Sequence, residues 1–282
     1  MSEQAGGHGL GALTHLVPDD ATVRVLRDLA FDLAREAGEL IVDERPDALG
    51  VADTKSSEVD VVTVMDRRSE ELLRARIAAA RPDDAILGEE DGASAGTSGL
   101  TWVIDPIDGT VNYAYGIPHY AVSIAAVAGE PDPELWSAQA GVVFAPVTGD
   151  LFRAARGSGA WLGADRLAVS RPTDAGALLA TGFGYDPATH AGDLERVRTV
   201  MPLARDLRRA GAASLDLAYV AAGRLDGYFE RGLAPWDHAA GALLVEEAGG
   251  VVGGAPGGRP GRQMTIAAGP DLYAALDTAI YH

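Results

Sequence analysis

Residues 102–110 read Trp-Val-Ile-Asp-Pro-Ile-Asp-Gly-Thr, an apolar run followed by two aspartates, a proline and a glycine. The first three residues are apolar on both faces, which is typical of a strand buried within a layered sheet. Pro106 biases Asp105 toward an extended conformation and bends the chain, so that Asp105 and Asp108 can point into one space. The segment therefore predicts two neighbouring carboxylates at the end of a buried strand.

The glycine and threonine after these aspartates predict an anion-binding turn. Gly109 permits close approach of the backbone to a ligand, and the N–H groups of Gly109 and Thr110 can open a helix. Buried carboxylates repel one another and lose hydration, and a divalent cation removes both penalties. Because the chain has no cysteine, hard oxygen ligands favour Mg²⁺ over zinc. The pattern indicates a metal ion beside a phosphate group.

Three further acidic groups stand where apolar segments begin or end. Glu89 follows a predicted strand, Asp237 opens a predicted helix, and Asp66 lies on another helix. Taken singly, the aspartates of residues 102–110 are ordinary turn residues and Asp237 is an ordinary helix N-cap. Taken together, their order and spacing favour the metal-and-phosphate interpretation.

The charge balance of the chain bears on its partners. Its 282 residues include 23 Lys and Arg against 41 Asp and Glu, a formal net charge of −18. Such a charge opposes binding to a nucleic-acid backbone or to an anionic membrane surface. The lack of cysteine excludes disulfides, zinc–thiolate sites, iron–sulfur clusters and cysteine nucleophiles. We expect a small-molecule substrate, with no nucleic acid and no membrane as partner.

The chain shows no targeting pattern. No run of 18 apolar residues occurs. The first 20 residues are glycine-rich and lack the basic and apolar regions of a secretory signal. We expect a cytoplasmic protein in which residues 1–20 form a disordered tail.

The apolar pattern predicts a mixed α/β fold in several layers, without strict β-α-β alternation. Predicted helices span residues 21–44, 60–80, 192–205, 214–222, 237–248 and 272–280, and predicted strands span residues 85–88, 101–104, 120–127, 138–144, 150–155, 178–182, 227–230, 251–253 and 265–268. Residues 91–99 are predicted to be a mobile loop and residues 157–163 a β-hairpin. His238 is predicted to lie on a helix surface or in a cap.

Several of these segments resemble the inositol monophosphatase family of Mg²⁺-dependent, lithium-sensitive phosphatases. Residues 102–113 resemble its first signature and residues 235–250 its second. The intervening block at residues 86–90 and an N-terminal block also match, in the expected order; the latter comprises Lys55-Ser56-Ser57, Asp60, Val62-Thr63 and Asp66. The resemblance covers about residues 21–269.

The resemblance implies an α/β (α+β) fold, the layered α-β-α-β-α sandwich of the sugar-phosphatase type, commonly a homodimer. The catalytic domain would span residues 21–282. Within it, an N-terminal α+β subdomain would cover about residues 21–170 and a C-terminal α/β subdomain about residues 171–282.

The resemblance also implies two or three Mg²⁺ ions. Glu89, Asp105 and the Ile107 carbonyl would hold the first ion, Asp105, Asp108 and Asp237 the second, and Glu89 with Asp66 a weaker third. The implied substrate-binding residues are Asp108, Gly109, Thr110, Gly211, Ala212, Ala213 and Glu230. Of these, Gly109 and Thr110 would bind the phosphate by backbone N–H groups, and Glu230 would face the alcohol part.

The implied mechanism is direct hydrolysis without a phosphoenzyme. A water near Glu89 and Thr110 would attack phosphorus in line, made more acidic by a metal ion. Thr110, hydrogen-bonded to Asp66, would orient that water and help to remove its proton. These three residues are the predicted catalytic set.

The substrate remains open at this level because specificity depends on loop shape. The implied substrate is myo-inositol 1-phosphate, with histidinol phosphate, fructose 1,6-bisphosphate and adenosine 3′,5′-bisphosphate as alternatives. Ala212 stands where the family usually has a hydroxyl residue, so one substrate hydrogen bond is expected to be missing. Lys55 either lies near the metal and water or is a solvated loop lysine. The alternative from another functional class is that the chain is a regulatory module that binds a protein partner, with incidental phosphatase activity.

Overall fold

A computed structural model describes residues 18–45, 58–130, 132, 134–184 and 186–282, with residues 58–63 described by their backbone alone. Most of the predicted tail lies outside this part, and helix α1 begins at Asp20, capped where the Asp19 carboxylate accepts a hydrogen bond from Thr22 N at 2.8 Å. The predicted match at residues 55–57, which includes Lys55, also lies outside the described residues, and the side chains of residues 60, 62 and 63 are not described.

The described elements agree closely with the apolar pattern of the sequence. The helices are α1 Asp20–Asp43, α2 Glu58–Ala80, α3 Thr110–Ala114, α4 His190–Val200, α5 Ala213–Ala221, α6 Pro235–Glu247 and α7 Pro270–Tyr281. The strands are β1 Ala85–Gly88, β2 Gly92–Ser94, β3 Leu100–Asp108, β4 Ala121–Ala128, β5 Ser137–Ala145, β6 Asp150–Ala155, β7 Ala160–Leu162, β8 Asp165–Arg166, β9 Ala177–Thr181, β10 Ala204–Arg208, β11 Gly227–Glu230, β12 Val251–Gly253 and β13 Thr265–Ala268. Two 3₁₀ turns span Pro187–Thr189 and Met201–Leu203.

The strands form two sheets. The first sheet has eight strands in the order β2-β1-β3-β4-β5-β6-β7-β8, antiparallel except for the parallel pair β1–β3. The second has five strands in the order β10-β9-β11-β13-β12, with β9 parallel to both β10 and β11. The first sheet ends at Arg166 and the second begins at Ala177, and the division into two subdomains near residue 170 stays a prediction.

Helices cover both sheets and give five layers. Helices α1 and α2 pack on one face of the first sheet, α5 and α6 lie between the two sheets, and α4 and α7 cover the far side of the second. Every residue of β4 is buried, as expected for a strand covered on both faces. The predicted α-β-α-β-α sandwich is therefore confirmed. Within the described part of the chain, no helix combines the length and hydropathy needed to cross a membrane.

Two predicted segments are wrong in detail. Residues 91–99, predicted to be a loop, contain β2, which pairs with β1. The helix predicted to reach residue 205 ends at Val200, because Pro202 has no N–H group to continue the hydrogen-bond ladder, and the chain then forms β10. The predicted hairpin at residues 157–163 is confirmed as the β6–β7 pair.

Strand β3 differs from its prediction in a way that shapes the site. It continues beyond Ile104 to Asp108, and its pairing with β4 shifts register between Asp105 and Asp108. A bulge of this kind bends a strand and re-aims its side chains. The bend expected at Pro106 is therefore made within the sheet.

Candidate active site

A cleft of about 240 Å³ opens where β3 ends and helices α5 and α6 begin. One wall, the metal wall, carries Glu89, Asp105, Ile107, Asp108, Gly109 and Thr110. Asp237 also belongs to the metal wall, and the predicted substrate residues Gly211, Ala213 and Glu230 line the same cleft. The structure thus brings together residues separated by more than a hundred positions in the sequence. Ala212 is 1% exposed and lies behind this surface.

Three aspartates form the centre of the metal wall. Asp105, Asp108 and Asp237 each offer an oxygen, and these oxygens lie within 4.8 Å of one another. The Asp105 carboxylate accepts a hydrogen bond from Ile107 N at 3.1 Å, across the bulge of β3. The spacing of these oxygens is that of groups able to share one cation.

The N-terminus of α5 fixes Asp108. Its carboxylate accepts hydrogen bonds from Ala213 N at 3.2 Å, from Ser214 N at 2.8 Å and from the Ser214 hydroxyl at 2.5 Å. These bonds satisfy helix N–H groups that otherwise lack partners, and the positive end of the helix dipole favours the carboxylate. Asp108 therefore joins the end of β3 to the second half of the chain.

Asp237 is fixed by its own helix. Pro235 begins α6, and the Asp237 carboxylate accepts a hydrogen bond from Ala234 N at 2.7 Å. The aspartate thus takes part in capping α6, although Ala234 occupies the N-cap position itself. Asp237 can therefore cap α6 and also belong to the acidic cluster, because its carboxylate has a second oxygen.

The acidic groups are destabilised as anions when no cation is near. Burial, reinforced by neighbouring carboxylates, raises the pKa of Glu89 to about 7 and the pKa values of Asp105 and Asp237 well above their usual range. Burial also raises the pKa of Asp108 to about 6, although the bonds from Ser214 and Ala213 act in the opposite direction. Bound cations would reverse this penalty.

The residues present fit a hard divalent cation. The donors are carboxylate oxygens and one backbone carbonyl, the ligand types that suit Mg²⁺. Asp66 gives a second indication, because it is 2% exposed and its Oδ1 has no hydrogen-bond partner among the described residues. Burial and the charges of Glu90 and Glu89 raise the pKa of Asp66 to about 8.

Thr110 makes a different hydrogen bond from the one predicted. Its hydroxyl donates to the Ile107 carbonyl at 3.0 Å instead of to Asp66. The cause is local: Gly109 has a φ of +91°, and this turn starts α3 directly over the end of β3. A side chain at Gly109 would come within 3.0 Å of the His119 carbonyl oxygen, so glycine is required there.

Gly182, Arg209, Gly211 and Glu230 also line the cleft and are here called the alcohol wall, after the role that the family resemblance implies for Glu230. Tyr228 is fully buried and its hydroxyl donates to Glu230 Oε2 at 2.5 Å. A Cβ at Gly182 would lie 2.0 Å from the same oxygen, so a glycine leaves room for Glu230. Burial raises the pKa of Glu230 to about 7.

Sequence reasoning missed several residues that support the site. Glu70 is fully buried, and its carboxylate accepts hydrogen bonds from Glu90 N at 2.8 Å and Asp91 N at 3.0 Å, which fixes the turn after Glu89. It also pairs with Arg74 at 2.7 Å, and this i,i+4 spacing on α2 was the one signal available.

Two further residues become informative only in the structure. Asn112 Nδ2 donates to the carbonyls of His119 at 2.7 Å and Ala210 at 2.9 Å, which connects the helix that follows the Gly109 turn to the segment before Gly211. The prediction for His238 is wrong, since it is 2% exposed instead of lying on a surface. Helix α6 is covered by both sheets and therefore leaves no free face at that position.

Comparison with known proteins gives concordant matches. The model of the Inositol monophosphatase family matches residues 22–280. The chain is 42% identical to the inositol-1-monophosphatase SuhB of Mycobacterium tuberculosis H37Rv, over 93% of this chain and 95% of that protein. It is 43% identical to the Nus factor SuhB of Escherichia coli K12, over 82% of this chain and 85% of that protein. The crystal structure of the extragenic suppressor protein suhB from Bartonella henselae matches with a TM-score of 0.79 at 34% identity, over 92% of this chain and 100% of that chain.

Proposed function

The chain belongs to the inositol monophosphatase family, as its motifs predicted, and from this premise we propose that it hydrolyses myo-inositol 1-phosphate to inositol and phosphate in a Mg²⁺-dependent reaction. The protein is a phosphoric monoester hydrolase. The observation that carries the proposal is the convergence of Asp105, Asp108 and Asp237 beside the turn at Gly109 and Thr110.

The proposed metal ligands are those implied by the family resemblance. Glu89, Asp105 and the Ile107 carbonyl would hold one ion, Asp105, Asp108 and Asp237 would hold a second, and Asp66 with Glu89 would hold a third. When bound, Mg²⁺ acidifies a neighbouring water and stabilises negative charge on the leaving oxygen. The unpartnered Oδ1 of Asp66 supports the third position.

The remaining steps belong to the protein. The N–H groups of Gly109 and Thr110 bind the phosphate, and Glu89 accepts a hydrogen bond from the attacking water. Because the Thr110 hydroxyl donates to Ile107, its oxygen keeps free lone pairs for the same water. Glu230 accepts hydrogen bonds from hydroxyl groups of the alcohol, and Gly211 to Ala213 line its path.

A substrate panel tests the proposal. Phosphate release is measured at one Mg²⁺ concentration from inositol 1-phosphate, histidinol phosphate, fructose 1,6-bisphosphate and adenosine 3′,5′-bisphosphate. We expect Mg²⁺-stimulated release, fastest from inositol 1-phosphate, and inhibition by millimolar Li⁺. Phosphate release that EDTA leaves unchanged would contradict the Mg²⁺ dependence. A higher kcat/KM for another member of the panel would contradict inositol 1-phosphate as the preferred substrate.

One observation favours a second function. Relatives in Escherichia coli and Pseudomonas aeruginosa, 43% and 46% identical to this chain, are named Nus factor SuhB. A regulatory binding role for this chain would use a surface outside the cleft. The Asp105→Asn variant separates the two functions, because partner binding should persist while hydrolysis is lost.

We also infer a homodimer, through the exposed apolar side chains beside the phosphate-binding turn. Val111, Tyr115 and Ile117 are 48%, 61% and 47% exposed, which is a suitable contact patch. Light scattering should give twice the chain mass, and Tyr115→Glu should shift the mass toward the monomer. The cytoplasmic location stays a prediction.

A further inference from the structure

The cleft contains one basic side chain among its described lining residues. Glu89, Asp105, Asp108, Asp237 and Glu230 supply carboxylates, whereas Arg209 supplies a guanidinium. Arg209 is exposed and makes no hydrogen bond or ion pair with any side chain in the described part of the protein. A cation without a partner inside an acidic cleft calls for a ligand of opposite charge.

The two nearest arginines along the chain to the alcohol wall, Arg208 and Arg231, are paired with carboxylates, unlike Arg209. Arg208, also exposed, forms an ion pair with Asp206 at 2.7 Å and does not line the cleft. On the other side of Glu230, Arg231 donates to Asp193 at 3.0 Å. These arginines have carboxylate partners within the fold, whereas Arg209 faces the cleft.

Gly211 brings the Arg209 guanidinium close to the substrate path. The Arg209 Nη1 atom lies 2.7 Å from the position that a Cβ would take at Gly211, where a φ of +90° favours glycine. The Gly211 carbonyl oxygen lies 3.3 Å from the Cβ position of Gly109, in the phosphate-binding turn. The backbone of Gly211 therefore lies between the Arg209 guanidinium and the turn proposed to bind the reacting phosphate.

The two charged groups of the alcohol wall are held differently. Glu230 is fixed by the Tyr228 hydroxyl and suits the recognition of sugar hydroxyls. Both groups line the same cleft, and the Arg209 charge opposes the burial that raises the pKa of Glu230 to about 7. The guanidinium, with five N–H donors in a planar fork, binds phosphate oxygens in pairs.

We propose that Arg209 is a specificity-determining residue that binds a second phosphate on the alcohol part of the substrate, which extends the substrate range to polyol bisphosphates. The inference rests on the proposed function and deepens it. The reacting phosphate binds at Gly109 and Thr110 beside the metal ligands, and the second phosphate lies across Gly211 on the guanidinium.

The test compares kcat/KM for inositol 1-phosphate and fructose 1,6-bisphosphate in four proteins: wild type, Arg209→Gln, Arg209→Lys and Arg208→Gln. We expect Arg209→Gln to lower kcat/KM for the bisphosphate by roughly tenfold or more, mainly through KM, since a bond to a charged group is lost. The same variant should lower kcat/KM for inositol 1-phosphate by a clearly smaller factor than for the bisphosphate, and an unchanged midpoint of thermal unfolding shows that it folds. The kcat/KM of Arg209→Lys for the bisphosphate should lie between the values for the wild type and Arg209→Gln. Arg208→Gln should change kcat/KM for neither substrate by more than about twofold.

Each other outcome has a defined meaning. Equal losses on both substrates would overturn the inference, because Arg209 would then act only by neutralising Glu230. An unchanged bisphosphate kcat/KM in Arg209→Gln would overturn it as well. If the wild type hydrolyses inositol 1-phosphate but not the bisphosphate, the inference fails and the proposed function stands. If the wild type hydrolyses neither substrate, the proposed function itself fails.

Discussion

The two walls of the cleft hold their polar groups by different means. On the metal wall, most donors to the carboxylates are backbone N–H groups: Ile107 N bonds Asp105, and the N–H groups of Ala213 and Ser214 bond Asp108 beside the Ser214 hydroxyl. On the alcohol wall, one tyrosine hydroxyl holds Glu230, and no described side chain holds Arg209. Backbone donors are independent of the side chains at their own positions, whereas side-chain donors change with single substitutions.

This difference explains how one scaffold can keep its chemistry and vary its substrate. Most of the metal wall comes from residues 105–110, and the bulge of β3 and the turn at Gly109 set the geometry of this segment. The alcohol wall combines distant residues whose side chains are replaceable one at a time. We therefore expect substitutions on the metal wall to abolish turnover and those on the alcohol wall to redistribute it among substrates.

The largest effect is expected for Asp105→Asn on the metal wall. Loss of a shared ligand should lower kcat by at least about 10³-fold, since metal-ion stabilisation is worth several kcal/mol. The midpoint of thermal unfolding without Mg²⁺ should stay equal or rise, because the substitution removes a buried charge from a repelling cluster. Its increase on Mg²⁺ addition should be lost. Full activity of Asp105→Asn would contradict the expectation that substitutions on the metal wall abolish turnover.

Glu70→Gln tests whether the hydrogen bonds of Glu70 to the turn after Glu89 stabilise the metal wall. The variant should weaken the bonds to Glu90 N and Asp91 N and leave Arg74 without its charged partner. We expect a loss of about 2–4 kcal/mol in unfolding free energy, measured by urea denaturation, and roughly a tenfold lower kcat. The control is Glu39→Gln, whose exposed ion pair with Arg35 should contribute less than about 0.5 kcal/mol. Equal stability of the two variants would refute this role.

Asp216 lies beneath the alcohol wall and predicts a pH effect. It is 1% exposed with an unpartnered Oδ2 among the described residues, and burial, aided by the Asp108 and Glu230 charges, raises its pKa to about 8. The folded state then binds more protons than the unfolded state between about pH 4 and 8, so stability falls as pH rises through this range. In EDTA, Asp216→Asn should raise the unfolding free energy at pH 8 by roughly 1–3 kcal/mol and have little effect at pH 4.

A stability gain from Asp216→Asn that is the same at both pH values would contradict that prediction. Ala substitution at this position is a weaker probe, since it also removes packing. Asparagine keeps the shape of the side chain, so only the charge and one oxygen change. Both calorimetry and urea denaturation can measure the difference.

Tyr228→Phe should give the smallest effect, confined to the alcohol wall. Without the hydroxyl, Glu230 is less well positioned, and we expect KM for inositol 1-phosphate to rise roughly three- to tenfold with kcat within about twofold. The matched control is Tyr281→Phe, whose hydroxyl contacts the Gly254 carbonyl at 3.4 Å away from the cleft. A fall in kcat with unchanged KM would place Glu230 in the chemical step instead.

The sequence was most informative where function and fold use the same short segment. The apolar run before Asp105 and the glycine after Asp108 predicted a buried strand, a bend and a turn, and the structure has all three; anion binding at the turn stays a prediction. Helix periods of three and four residues predicted α1 and α2 within two residues. The family, and with it the layered fold, followed from the same motifs.

The support of the site was harder to predict, because it depends on contacts between distant segments. Nothing local shows that Glu70 accepts hydrogen bonds from a turn 20 residues away, or that Tyr228 positions Glu230. The Thr110 hydroxyl was assigned to Asp66, yet the short turn after Gly109 places it over Ile107. Strand β10 was missed because it is largely exposed and has no alternating apolar pattern.

The central claim is that Asp105, Asp108 and Asp237 bind divalent cations. Mn²⁺ prefers the same oxygen ligands as Mg²⁺, so anomalous diffraction from crystals grown with Mn²⁺ tests the claim directly. We predict an anomalous peak bonded to all three carboxylates, absent from crystals of Asp105→Asn. Crystals of active enzyme with no anomalous density between these residues, or with Mn²⁺ bound only elsewhere, would contradict it.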